Sequence, residues 1–445
     1  MTTIARNTAL IPLPAADRLF GWRDHAALWL SLGVGLLVMQ VGAYLVPALG
    51  TQAALAAILG GSVIGAGLLG WTAKIGCDSG LSSAGLMHAT YGSSFARLPV
   101  VLNIVQLIGW TTFELVVMRD GVLAIARQAG LMGPVAGSTA GSTAAGSAVG
   151  AAAGAAEAAS SLPLPTVVVT LVFGALLVAL LAGSMVGLVR RFIGRFGLPL
   201  VVLSLAWLSW QFLGKAQATG WAVLWNRAGE GGMSTLSALD LVIAMPISWL
   251  PLVADFSRHG HDGRSALRGT WLGYAVANAW CYALGVLVAL TTPSPDLVSA
   301  LLLAQGGLVA LGLILIDEVD NAYGDLYSGS VAGHSLAPGW TTRRWGVQLA
   351  VLCTALALVL PMHSLEPFLL MLSSVFVPLY GVILGRLGGR TDVPALVGAK
   401  RVDPGAVAVW VLGVAVFHLL PQWTTELGSA LPTLALTYVL ARIGR

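Results

Sequence analysis

Charge is scarce in this chain: 9% of its 445 residues are Asp, Glu, Lys or Arg, against about 25% in soluble domains. That scarcity excludes a soluble enzyme, a nucleic-acid binder and a disordered chain. Cysteine is also rare. Cys77, Cys281 and Cys353 stand far apart and offer neither a metal-ligand spacing nor a disulfide framework. A Walker-type phosphate loop, HExxH and GxSxG are all missing, which removes support for ATP-driven pumping within this chain and for the commoner intramembrane hydrolases. The first 24 residues lack an apolar h-region and carry Pro12, Pro14, Asp17, Arg18 and Arg23, so they read as a cytoplasmic tail, not a signal peptide. What the chain has instead is apolar surface: 57% hydrophobic residues and a mean hydropathy of +0.85.

That apolar content is parcelled into twelve stretches, most of them roughly the 17–25 residues that cross a bilayer. They run at approximately 25–47, 51–73, 99–124, 165–187, 193–214, 237–257, 269–292, 298–328, 346–362, 366–387, 405–421 and 426–442. With the N-terminus inside, 19 of the 23 Lys and Arg residues fall in inner loops or tails. Only Arg119, Arg127, Lys215 and Arg227 fall elsewhere. This asymmetry fits an even span count with both termini cytoplasmic, and it explains the basic net charge without a nucleic-acid partner. Residues 134–161 are rich in Ala, Gly, Ser and Thr and read as a low-complexity linker, within an outer loop at 128–164.

Loop charges orient the protein, whereas charges within spans carry information about function. Each costs about 2.5–3.5 kcal/mol at the bilayer centre on the insertion scale, and such residues usually line a site or pathway. Span eight reads ILIDEVDNAYGDLYS, with Asp317, Glu318, Asp320, Asn321 and Asp325 inside one short stretch. Asp317, Asp320, Asn321 and Gly324 share a helical face, suited to a water-filled cavity or a bound cation. An early end to the span would place them in cytoplasmic solvent instead. Span three reads LIGWTTFELVVM, where Trp110 and Glu114 lie one turn apart and Gln106 one turn before. An aromatic plane beside a carboxylate suits a flat ligand with N–H donors, since the ring stacks and the carboxylate accepts. Packing for the Trp and an ion pair for the Glu are the plainer alternatives.

Span one holds Gln40 among Gly33, Gly35 and Gly42, and span six holds Pro246, Trp249 and Pro251. Interrupted helices at membrane depth are tolerated where they line a cavity, and interruptions at matching places in two halves point to a transporter site. Asp255 and Arg258 close span six and could form a gating or interfacial ion pair.

These passages resemble the nucleobase–cation symporter-1 family, which includes cytosine, purine, allantoin and hydantoin permeases. The similarity is carried by the Trp29–Gln40 region, by GLSSAGLMHATYGSSFARLP, by SWLPLVADFSR and by DEVDNAYGDLYS. It extends over most of residues 17–390 and looks nearest the branch described as hydroxymethylpyrimidine transporters. The resemblance implies an all-α polytopic membrane protein of about twelve helices, the first ten forming a five-plus-five inverted repeat with interrupted helices one and six. The repeats would be 25–215 and 216–388, with 389–445 holding the last two spans. It implies a stacking role for Trp110, hydrogen bonds from Glu114 and Asn321, and help from Gln40. The second family aromatic of span six aligns with Pro246, with Trp249 one turn away. For the coupling cation it implies backbone carbonyls near Leu36 and Met39. The facing hydroxyl positions of span eight are taken by acidic residues, Asp317, Glu318 and Asp320. Sodium and a proton both stay open.

The expectation is therefore a secondary transporter of the bacterial plasma membrane. It would import a planar pyrimidine-like compound, hydroxymethylpyrimidine or a cytosine-like nucleobase, coupled to a cation gradient by alternating access. It would need no cofactor beyond Na+ or H+ and no partner beyond substrate and lipid, with the oligomeric state open. The rivals are a carrier of another small aromatic or amino-acid-like compound, and a membrane enzyme or receptor.

Overall fold

A computed structural model describes residues 7–132, 162–294, 296–360, 365–424 and 428–445. The low-complexity stretch 134–161, Arg6 and His363 lie outside the described residues. Twelve helical segments follow the twelve apolar stretches in order. Span one is a pair of half-helices, Trp22–Ser31 and Leu36–Ala48, bent by 60° at their junction. Spans two to seven are Thr51–Ser79, Arg97–Gln128, Leu164–Leu180, Met185–Thr219, Thr235–Ser257 and Gly263–Thr291. Spans eight to twelve are Gly307–Leu336, Thr342–Val359, Leu365–Leu387, Pro404–Trp423 and Ala430–Ile443. Among the described residues, seven helices are long and apolar enough to cross a membrane, and the bent pair makes an eighth. Among the described residues there is no strand, only an isolated bridge between Phe20 and Gly260.

Three boundaries differ from the hydropathy reading, each for a local reason. Span eight starts at Gly307, not near 298, because Leu297–Leu302 is a separate short helix ended by a turn at Gly306, whose φ of 69° favours glycine. The same helix then runs unbroken past the carboxylates to Leu336, so the cluster does not mark its end. Span six is interrupted at Trp249 alone, between Thr235–Ser248 and Leu250–Ser257. At this break Leu252 N–H bonds Trp249 C=O instead of the Ser248 carbonyl four residues back. The N-terminal segment is not a free tail. Leu13 N–H donates to Gly80 C=O (2.9 Å), Ser82 Oγ to Ala9 C=O (2.5 Å) and Phe20 N–H to His259 C=O (2.8 Å).

Small residues set how closely the spans approach. A Cβ at Gly285 of span seven would stand 2.0 Å from the Met39 carbonyl oxygen, and one at Gly42 of span one 2.2 Å from that of Tyr282. Gly269 and Gly273 bring span seven equally near the first half of span one, 2.5 Å from Trp22 C=O and 2.4 Å from Ala26 C=O. Backbone contact of this kind is the main source of helix association where lipid tails are as apolar as the side chains. Farther along, Asp240 of span six accepts from the backbone N–H groups of Ser429 and Ala430. It thereby caps span twelve and ties the last helices to the bundle.

Candidate functional site

The bend in span one spans Leu32–Gly35, where two glycines remove the side chains that would crowd the turn. Gly33 lies against Ala277, and Gly35 faces the Glu318 carboxylate. A helix break at this depth exposes backbone groups that lipid cannot satisfy. Span eight satisfies them. Glu318 Oε1 accepts from Leu36 N–H at 2.5 Å, so a carboxylate from another helix caps the second half of span one. Asn321 Nδ2 donates to Val34 C=O at 3.0 Å and lies 3.5 Å from Glu318 Oε2. At the end of the first half, Ser31 Oγ stands 2.9 Å from Asp317 Oδ1 and 2.7 Å from Asp320 Oδ2.

Beside this junction lies a small cavity of about 30 Å³. Span three contributes Trp110 and Glu114, span six Ser248 and Trp249, and span eight Asn321 and Asp325. Val34 and Gly35 form its wall at the bend. Spans three and eight run antiparallel: a side chain at Gly121 would meet Leu315, and one at Gly329 would approach Leu107 within 3.7 Å. Trp110 therefore lies level with Asp325, and Glu114 level with Asn321. The Trp110 ring is held edge-on by Phe368 of span ten, 5.1 Å between centroids at 74°. Trp249 is held the same way by Trp29, at 5.7 Å and 88°.

The polar atoms at this cavity divide into spent and unspent. Glu114 shares a side-chain hydrogen bond with Glu318, so the cavity and the bend are joined through two carboxyl groups. Its Oε2, the Asn321 Oδ1 and the Trp110 Nε1 are buried without a protein partner. Asp325 is 3% exposed and has no hydrogen-bond or ion-pair partner among the described residues. Ser248 spends its hydroxyl proton on Met245 C=O at 2.7 Å.

The structure thus brings Trp110, Glu114, Trp249 and Asn321 around one cavity, with Asp317, Glu318 and Asp320 grouped at the adjoining bend. Leu36 gives its N–H to Glu318 there, and Met39 sits a turn inside the half-helix against Gly285. Two expected residues stand apart. Gln40 is half-buried and is not among the residues that line the cavity. Pro246 packs on span two, where a Cβ at Gly65 would stand 2.2 Å from its Cγ.

The expected Asp255–Arg258 pair does not form among the described residues. Asp255 instead accepts from Ser83 N–H (3.0 Å) and Ser328 Oγ (2.5 Å), joining span six to the helix Ser83–Tyr91 and to span eight. The Arg258 Nε and Nη1 atoms are buried and unpartnered.

Sequence reasoning missed Ser31, Ser248 and the cavity position of Asp325. Ser31 had a faint signal as a hydroxyl beside the glycine break. Gln106 has a structural task. It donates to the Ser248 carbonyl at 3.1 Å, left free because Leu252 N–H bonds Trp249 C=O instead.

Residues 12–441 match the family described as permeases for cytosine/purines, uracil, thiamine and allantoin. The cytosine permease of Escherichia coli (strain K12) is 28% identical over 245 residues, which cover 50% of this chain and 57% of that protein. The cytosine permease of Escherichia coli O157:H7 matches with the same figures. The alignment thus spans little more than half the length of these curated relatives. Among solved structures, Mhp1, a nucleobase-cation-symport-1 family transporter in a closed conformation with bromovinylhydantoin bound, superposes with a TM-score of 0.77 at 16% identity. That superposition covers 99% of this chain and 94% of Mhp1. The inward-facing conformation of Mhp1 gives 0.72, also at 16% identity, over 100% and 93%. A Na+-coupled sialic acid symporter in a substrate-bound outward-open state gives 0.58 at 11% identity, over 99% and 91%. These likenesses establish the shared fold, and the match over residues 12–441 establishes the lineage: the chain belongs to the nucleobase–cation symporter family of membrane permeases.

Proposed function

We propose that this protein is a secondary transporter that imports a planar, pyrimidine-like compound across the bacterial plasma membrane, coupled to a cation gradient. Hydroxymethylpyrimidine or a cytosine-like base fits the reading. The observation that carries it is the grouping of Trp110, Trp249, Glu114 and Asn321 around one small cavity at the bend of span one. An indole face holds a flat ring, and the carboxyl and amide groups one turn away meet its polar edge. Import would follow from alternating access, with both termini cytoplasmic.

The coupling cation belongs at the other side of the bend. Ser31 carries one hydroxyl proton, yet its oxygen contacts two carboxylate oxygens, of Asp317 and Asp320. It can donate to only one of them at a time. A proton on the other carboxyl, or a sodium ion among the three groups, completes the arrangement. Loading this site would steady the half-helix that also walls the substrate cavity.

The test is uptake of labelled hydroxymethylpyrimidine and cytosine by cells making the protein, with and without a sodium gradient and at two external pH values. Saturable uptake is expected, together with at least a tenfold loss of affinity in Trp110→Ala. Unchanged affinity in that variant would overturn the stacking assignment.

A further inference from the structure

We infer that the site selects its ligand by hydrogen-bond polarity, with Asp325 as the specificity-determining residue: the ligand must present an N–H donor edge of amidine type, as a 4-aminopyrimidine does. The inference rests on the pyrimidine reading above and narrows it.

The argument is an inventory of unspent groups. Asn321 has committed its amide donors to Val34 C=O and Glu318, which leaves Oδ1, an acceptor. The Val34 contact also fixes which end of the amide is the nitrogen. Ser248 has committed its only proton to Met245 C=O. Glu114 has Oε2 unspent. Asp325 has no partner for either oxygen. Among the buried side-chain atoms at the cavity, Trp110 Nε1 is the donor without a partner. No basic side chain lines the cavity. The carboxyl and amide side chains therefore meet the ligand with acceptors, and a carboxylate of 3% exposure without a donor is costly until a ligand supplies one.

Height sharpens the assignment. Asp325 lies level with Trp110, one helical turn from Asn321 and Glu114. A ring resting on Trp110 turns one edge to Asp325 and its other substituents to the upper pair. A carboxylate accepts two parallel N–H bonds well when they come from one planar edge. A 4-aminopyrimidine protonated on its adjacent ring nitrogen, or any planar amidinium, presents that edge. A 2,4-dioxopyrimidine of the same size places a carbonyl oxygen there, against the carboxylate. Sites built on a polar match reject the mismatched isostere strongly, because a buried group is then left unpaired.

The experiment is ligand binding to the purified full chain, followed by thermal shift and by displacement of a labelled ligand. The probes are cytosine, uracil and benzamidine, a planar amidine without a pyrimidine ring. Cytosine should bind at least ~100-fold tighter than uracil. Asp325→Asn, which offers an amide donor in place of a carboxylate, should reduce that ratio below tenfold while the protein still folds. Asp325→Ala should weaken cytosine without restoring uracil. Equal binding of cytosine and uracil, or an unchanged ratio in Asp325→Asn, overturns the inference and leaves the pyrimidine reading in place. Binding of benzamidine with no pyrimidine bound keeps the donor-edge inference and overturns the pyrimidine reading. Binding of none of the three overturns both.

Discussion

Glu318 shows how one side chain can serve two parts of the protein. It caps the Leu36 N–H at the bend of span one and shares a hydrogen bond with Glu114 at the cavity. Removing it leaves a buried N–H unpaired, at a cost of about 1–3 kcal/mol. Glu318→Ala should therefore lower the melting temperature in detergent and abolish transport. Glu318→Gln keeps an acceptor oxygen and should keep most of the stability. A melting temperature unchanged in Glu318→Ala would show that the bend does not depend on this cap. The spacing in DEVDNAYGD marked such residues as exceptional. It did not assign them partners, because the partners lie on spans one and three.

Among the helices, the contact between spans one and seven is the one with least slack. Gly285 faces the Met39 carbonyl at a would-be Cβ distance of 2.0 Å, and the obstructing atom is backbone. Neither helix can yield by a rotamer change. Gly285→Val should cost about 1–3 kcal/mol or more through forced separation of the two backbones. Gly214, with nothing within 4 Å, should accept the same change at little cost. Comparing the two variants by size-exclusion profile and thermal stability checks the claim, and equal losses would refute it. Interruption of spans one and six was foreseeable from their glycines and prolines. The extents were not: a 60° bend in one and a single-residue break in the other. A glycine pair lets a helix bend, and Glu318 and Asn321 hold the bend. At the span-six break the Ser248 carbonyl is left free, and Gln106 satisfies it.

The end of the molecule that carries the N-terminal segment contains a buried histidine, His88, and a half-buried one, His259, outside the spans. Burial, with the neighbouring Arg97, pushes His88 down to about 4, and burial, with Arg258, pushes His259 down to about 4. Both lie below the ordinary value of 6.5 that the unfolded chain restores. The folded state then binds fewer protons than the unfolded state between those values. Their contribution to stability is complete above pH 6.5 and is lost as pH falls toward 4. Between pH 7 and pH 5 each should contribute a loss on the order of 1–2 kcal/mol. Melting curves at the two pH values should show a smaller difference in His88→Gln/His259→Gln than in the unaltered protein. An identical difference would show that other groups set the pH response.

Membrane embedding and the twelve-span order were legible in the chain because they depend on local quantities, the length and hydropathy of each stretch. So was the family, and helical spacing tells which side chains of the span-three and span-eight motifs share a face. Packing settled what local spacing leaves open. It placed Asp325 at the height of Trp110, turned Pro246 toward Gly65, left Gln40 outside the cavity lining, and gave Asp255 to Ser83 and Ser328 in place of Arg258. Each of these depends on the register between helices far apart in sequence. That register is set by which glycine meets which backbone and by which carboxylate meets which unpaired N–H.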